Sequence, residues 1–313
     1  MMAKGTVAEQ IAQNTWARLG LSRHFKVRLG EETLTDLLVL DLVSRSPNHN
    51  IMPFPTSKIK EATQGTDLVV CVHRGGARAD IYAIQAKKLY PSGRYGSLNS
   101  RSGNTSQLQI DTLEKYAMKI NAVPLYLLYN HVDSTVACKK CWHCCGPIDI
   151  KQFGCTLVPS WRVRRAVFLR RRTFDYIHSG RDDWTKQIDR SALPWRCAFD
   201  CPNKQPWEKV RARAKESHDG FLKRGYFSGD AKSGILKNLS FENGRGIWPR
   251  NLWEQGATFS SARDMESWNK EEIFELFGSR LEVADEVGRF FPSDTLLLPR
   301  WLLLVGKNEN ALR

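Results

Sequence analysis

Gly65-Thr66-Asp67-Leu68-Val69-Val70-Cys71-Val72, followed by Ile81-Tyr82-Ala83-Ile84-Gln85-Ala86-Lys87-Lys88-Leu89, is the stretch that decides how the chain is read. The run from Asp67 to Val72 is apolar and β-branched, which predicts a strand. Arg74-Gly75-Gly76-Ala77 predicts a turn, and the alternating run from Ile81 to Leu89 its hairpin partner. Gln85 and Lys87 are two apart on a strand, so they share a face. Hairpin pairing brings Asp67 close to Gln85. A carboxylate, an amide oxygen and an ammonium then meet at one sheet edge. Hard divalent cations take oxygen ligands. An ammonium beside them orients or deprotonates a water and stabilises developing negative charge. This is the chemistry of metal-dependent phosphodiester hydrolysis. Each residue also has a plainer reading: Asp67 as a turn residue, Gln85 and Lys87 as the solvent side of an edge strand.

Further elements are legible on either side. Residues 31–43 (EETLTDLLVLDLV) predict a helix with an acidic first turn, which suits its dipole. A looser helical pattern covers 6–19. Pro47, Pro53 and Pro55 mark a loop, with a further strand around Ile51–Phe54. Residues 106–121 predict a helix, and Val123 to Tyr129 a buried strand with Pro124 near its start. Farther on, an Arg-rich helix is expected over 161–178, a polar helix over 206–224 and a strand within Thr295 to Val305.

Gly65-Thr66-Asp67 followed by Gln85-Ala86-Lys87 resembles the D…QxK variant of the PD-(D/E)xK signature, as in Mrr-like restriction endonucleases. The chain is also similar to an uncharacterised bacterial family with a GEE-T…GxD…QAK pattern. The resemblance implies an α/β (α+β) fold: a restriction-endonuclease-like αβββαβ core with a mixed sheet flanked by helices. It implies a magnesium-dependent endonuclease acting on DNA, in restriction or anti-phage defence, with the Ala86 carbonyl as a further metal ligand. Gln85 is neutral where most members carry Glu, so a second carboxylate is needed. With Leu34, Leu37, Leu38 and Leu42 as the buried stripe, Glu31 lies at its border and Glu32 nearer the opposite side. Glu31 is therefore the expected catalytic and metal-binding partner of Asp67 and Gln85, with Glu32 second; its plainer reading is a helix N-terminal charge.

Five of the 8 cysteines fall between Cys138 and Cys155. Met1 to Gln13 does not read as a secretion signal, so this clustering is expected to favour metal over disulfides. Cys138, Cys141, Cys144 and Cys155 are the expected structural zinc ligands of a knuckle-like insertion; Cys145 or His143 can replace one. Cys197 and Cys201 form at most a half-site. Arg162, Arg164, Arg165, Arg170, Arg171 and Arg172 follow, six arginines in eleven residues without an acid. They read as a phosphate-backbone clamp or as a solvated helix face.

The net charge of +14 suits a polyanionic partner, nucleic acid and double-stranded DNA first. A non-catalytic zinc-containing nucleic-acid-binding protein on a decayed nuclease fold is the alternative. No apolar run reaches membrane-spanning length; a cytoplasmic location is expected, and a homodimer is compatible. The domains are drawn as a nuclease core over 1–137, a zinc-binding segment with basic helix over 138–190, and a mostly helical region over 191–313.

Overall fold

The computed structural model describes residues 6–45, 51–55, 65–73, 78–101, 108–119, 122–133, 141–144, 146–180, 192–199, 208–210, 212, 245–247 and 301–305. Helix α1 (Val7–His24) begins with a capping box, in which the Glu9 amide donates to Thr6 Oγ1 at 3.3 Å and the Thr6 amide to Glu9 Oε2 at 2.9 Å. Helix α2 (Glu31–Arg45) buries Leu34, Leu38, Val39 and Leu42. Arg18 of α1 reaches Asp41 of α2 at 2.8 Å, which locks the two helices together.

Among the described residues, eight strands join one mixed sheet. They are β1 (Ile51–Pro55), β2 (Leu68–His73), β3 (Arg78–Lys88), β4 (Val123–Tyr129), β5 (Cys155–Pro159), β6 (Leu193–Pro194), β7 (Arg245–Ile247) and β8 (Trp301–Val305). Their order is β1-β8-β2-β3-β4-β5-β6, with β7 paired to β3. Strands β2 and β3 form the expected antiparallel hairpin, Leu68 opposite Ile84. Strand β3 runs parallel to β4, and helix α3 (Gln109–Lys119) makes the crossover that a parallel pair requires. Chain order therefore reads α2, β1, β2, β3, α3, β4, the succession expected from the sequence.

Strict alternation sorts the sheet residues between two layers. Tyr82, Ile84, Ala86, Leu125, Leu127 and Leu157 pack with α1 and α2. Ala83, Tyr126, Leu128 and Val158 pack with α3 and with α4 (Ser160–Phe168).

Three expectations need correction. The 161–178 stretch is not one helix: α4 ends at Phe168, Arg170 takes a left-handed φ of 55°, and α5 (Phe174–Ser179) starts anew. The segment after 138 is not an appendage, because β5 adds directly to β4, Tyr129 opposite Cys155. The 191–313 region places β6, β7 and β8 in the sheet, so among the described residues it supplies strands to the core. The expected strand near the C-terminus is β8, and it lies between β1 and β2. The polar helix over 206–224 lies mostly outside the described residues. No described helix is long and apolar enough to cross a membrane.

Candidate active site at the end of the central hairpin

Asp67 stands immediately before β2. Gly65 makes this approach possible: its φ is +62°, and a Cβ there would lie 2.7 Å from the Gln109 carbonyl oxygen of α3. The Asp67 amide donates to the Ile84 carbonyl at 2.9 Å, so the pairing with β3 extends to this residue. Its carboxylate Oδ2 accepts the Ala86 amide at 2.6 Å and the Gln85 side-chain Nε2. A carboxylate can only accept, so the amide of Gln85 must turn its nitrogen to Asp67 and its oxygen away. That oxygen, Oε1, is buried and has no hydrogen-bond partner among the described residues. An orphaned buried acceptor costs about 1–3 kcal/mol unless something binds it.

Lys87 projects from the same face of β3 and is only 5% exposed. Its Nζ lies 3.4 Å from Glu31 Oε2 in the first turn of α2. Glu31 Oε1 accepts from the Lys88 amide at 3.1 Å and from Ser97 Oγ at 2.8 Å. Both carboxylate oxygens of Glu31 are thus engaged, an arrangement that anchors Lys87. Glu32, the second choice, is exposed. Tyr129 lies behind the cluster on β4. Its hydroxyl shares a 2.9 Å hydrogen bond with Thr35 of α2, and burial foremost pushes its pKa upward. Asp67 and Glu31 add to that shift, so the field of both carboxylates reaches one phenol.

The sequence reading missed the partners that hold Glu31. Ser97 sits in a short 3-10 turn, Gly96–Asn99. That loop is fixed at its start by the Leu89 amide on the Tyr129 carbonyl, 2.9 Å, and at Tyr95 by the Asn130 side chain. Nothing in a Gly/Ser/Asn-rich loop singles out one serine. Tyr126 was also missed. It is the register partner of Gln85, and burial first, then Glu114, raises its pKa.

The basic stretch divides. Arg162 is corrected from phosphate contact to structural residue: it is 1% exposed and donates to the Ile177 carbonyl at 3.3 Å and to that of Tyr176. Arg164 pairs with Asp111 and Glu114 of α3, each at 2.6 Å. Arg165 is half-buried. Arg170 and Arg171 are exposed, Arg171 5.6 Å from the Tyr176 ring. Arg172 donates to the Gly96 carbonyl at 3.4 Å and to Asn99. Arg94 donates to the Arg170 carbonyl at 3.4 Å, and Phe168 is 82% exposed. These last residues border the loop that carries Ser97.

The cysteines do not converge as expected. Cys155 is fully buried in β5 on the α1 side, its thiol 3.4 Å from Thr15 Oγ1, and burial pushes it up to about 12. Cys141 packs into the opposite layer. Cys144 lies beside Cys197 and Arg196; the hydrogen bond from Cys197 first pulls its thiol down to about 4. His143 hydrogen-bonds the His178 carbonyl at 2.7 Å. Cys138 and Cys145 lie outside the described residues. Among the described residues no three His, Cys, Asp or Glu side chains gather as a metal cluster, so a cation at Asp67 would also need amide and carbonyl oxygens.

No curated protein and no solved structure matches the chain. The model of one family, described as Family of unknown function (DUF6615), matches residues 5–269. That match covers most of the sequence, and the chain belongs to this family.

Proposed function

We propose that the protein is a metal-dependent endonuclease that hydrolyses phosphodiester bonds of DNA. The observation that carries this reading is the buried, unpartnered Oε1 of Gln85 beside the Asp67 carboxylate, with Lys87 on the same face. The α2-β1-β2-β3-α3-β4 succession supports the restriction-endonuclease-like core that the D…QxK resemblance implies.

The donor set fits a hard cation, because every candidate ligand is an oxygen. Asp67 and the Ala86 carbonyl would hold magnesium, joined by Gln85 Oε1 once the side-chain amide turns over to present its oxygen beside Asp67. When bound, it would polarise the scissile phosphate and lower the pKa of a water. The chain's own residues supply the rest. Lys87 donates to phosphoryl oxygens where negative charge develops. Glu31, bonded through both oxygens, fixes the direction of the Lys87 side chain. Arg94, Arg170, Arg171 and Arg172 supply backbone affinity that does not depend on base sequence. A role in restriction or anti-phage defence follows from the resemblance.

Cleavage of duplex DNA and RNA panels with magnesium, manganese or EDTA tests the proposal. Lys87→Ala should lose at least about a hundredfold in rate, the range expected for a positioned charge-stabilising group, while DNA affinity persists. Full activity in Lys87→Ala would sink the mechanism. DNA binding with no cleavage under any metal would favour the alternative, a non-catalytic binding protein.

A further inference from the structure

We propose that the turn after α4 is a binding surface for single-stranded nucleic acid, on which Phe168 stacks an unpaired base while Arg94, Arg170 and Arg172 hold the flanking phosphates. Phe168 ends α4 and is 82% exposed. Arg94 and Arg170 are exposed as well, and the Arg94 guanidinium donates to the Arg170 carbonyl at 3.4 Å. Main-chain bonds fix the two loops against each other. The Tyr95 amide donates to the Arg172 carbonyl at 2.9 Å, and the Phe174 amide to the Gly93 carbonyl at 3.1 Å. Tyr90, a second exposed aromatic, donates its amide to the Arg94 carbonyl at 3.0 Å.

The charges separate this surface from an ordinary solvated face. Arg18, Arg164 and Arg196 each meet a carboxylate. The partners of Arg94 and Arg172 among the described residues are neutral: the Arg170 carbonyl for one, the Gly96 carbonyl and Asn99 for the other. Arg170 sits at a φ of 55°, a left-handed position that usually goes to glycine. Residues held in such conformations gather at ligand clamps. Arginines without counter-charge attract phosphate, whatever the strand. Phe168 adds the choice of strand. In a duplex the bases are already stacked on each other, and a ring outside them gains nothing. An unpaired base has a free face, and a cationic groove with exposed aromatics is how single strands are held. An apolar protein partner would instead desolvate these arginines without pairing them. Ser97, on the same loop as Tyr90 and Arg94, donates to Glu31 at 2.8 Å, so the surface adjoins the candidate active site. That a strand bound here is delivered to Lys87 rests on the endonuclease reading; the binding itself does not.

Binding of the full-length protein is read in EDTA, apart from cleavage. The probes are a fluorescein-labelled oligothymidylate of about 12 nucleotides, within the span that single-strand grooves cover, an abasic oligomer of the same length, and a duplex. Phe168→Ala should weaken oligothymidylate binding about tenfold, the order expected for one lost base–aromatic stack. Its salt slope, and its affinity for the abasic oligomer and the duplex, should match wild type. Phe168→Tyr should bind as wild type does. Arg170→Gly should melt no lower than wild type, yet flatten the single-strand salt slope by about 0.7. Equal oligothymidylate affinity in wild type and Phe168→Ala would overturn the proposal. So would an equal loss on the abasic oligomer, or no binding of any probe. Should one of these occur while wild type cleaves DNA with magnesium, the surface alone is wrong. Should Phe168→Ala behave as expected while no metal supports cleavage, the surface stands and the nuclease reading falls.

Discussion

Gln85→Glu tests the contact on which the active-site reading rests. Gln85 is 2% exposed and donates through Nε2 to Asp67 Oδ2, which also takes the Ala86 amide at 2.6 Å. The variant replaces that donor with a second anion. The lost hydrogen bond to a charged group is worth about 1.5–3 kcal/mol. Two unit charges about 4 Å apart at an effective dielectric near 20 repel by about 4 kcal/mol. The pair escapes part of this by holding a proton, since 4 kcal/mol corresponds to roughly three pH units. The sign follows. A carboxyl raised above its unfolded value near 4.3 gives stability that is complete below about pH 4 and is lost as pH rises toward about 7. Melting of the variant in EDTA should therefore fall behind wild type progressively from pH 4 to pH 7. For about 4 kcal/mol the deficit is roughly 8–16 °C. Magnesium should recover much of it, because a cation between two carboxylates stabilises only the folded chain, by about 2.7 kcal/mol at a hundred times its Kd. Thermal melts across pH with EDTA or magnesium measure this directly. Equal melting of the two proteins at pH 5 and pH 8 in EDTA would mean that residue 85 does not face Asp67. Absence of a magnesium shift in both proteins would remove the cation site.

Changing Arg170, Arg171 and Arg172 together to Ala should weaken binding alike for unrelated duplexes and flatten the log–log salt slope by about 0.9 per lost phosphate contact; an unchanged slope returns the stretch to ordinary surface. His178 is fully buried, and burial holds it neutral with a pKa near about 3. The unfolded chain therefore binds a proton that the fold rejects, so stability complete above about pH 6.5 should decline toward pH 3, by up to about 1.4 kcal/mol per pH unit. His178→Gln should flatten that decline in pH-dependent urea melts, and an unaltered slope would assign it elsewhere.

The hairpin was legible because its signals are local. Alternation through Ile81 to Leu89 places Gln85 and Lys87 on one face whatever else the chain does. Glu31 was legible for a similar reason, at the edge of a helical stripe whose buried positions the structure places at Leu34, Leu38 and Leu42. The arginine run was not. Six arginines in a row of eleven look alike in sequence, yet Arg162 is sealed under α5 while Arg171 is exposed. The break at Arg170 decides which, and no glycine or proline announces it. Nor was β5. Cys155-Thr156-Leu157-Val158-Pro159 sits directly behind a cysteine cluster, whose metal-ligand spacing competes with its strand character. A short apolar run can satisfy either reading until its partner strand is known.

The position of β8 changes what the site depends on. Trp301 is the parallel register partner of Leu68, the residue next to Asp67. Strand β8 also holds β1 on its other side, Ile51 opposite Val305. Strand β2 therefore has neighbours on both sides only when the segment around residue 301 has arrived. The carboxylate of Asp67 is aimed by main-chain bonds to Ile84 and Ala86, so whatever steadies β2 steadies that aim. Glu31, Asp67, Gln85 to Lys88 and Ser97 lie within the first third of the sequence, whereas the strand beside them comes from near its end. Contacts of such sequence separation are paid for in loop closure before they return stability. A site built this way is completed late in folding.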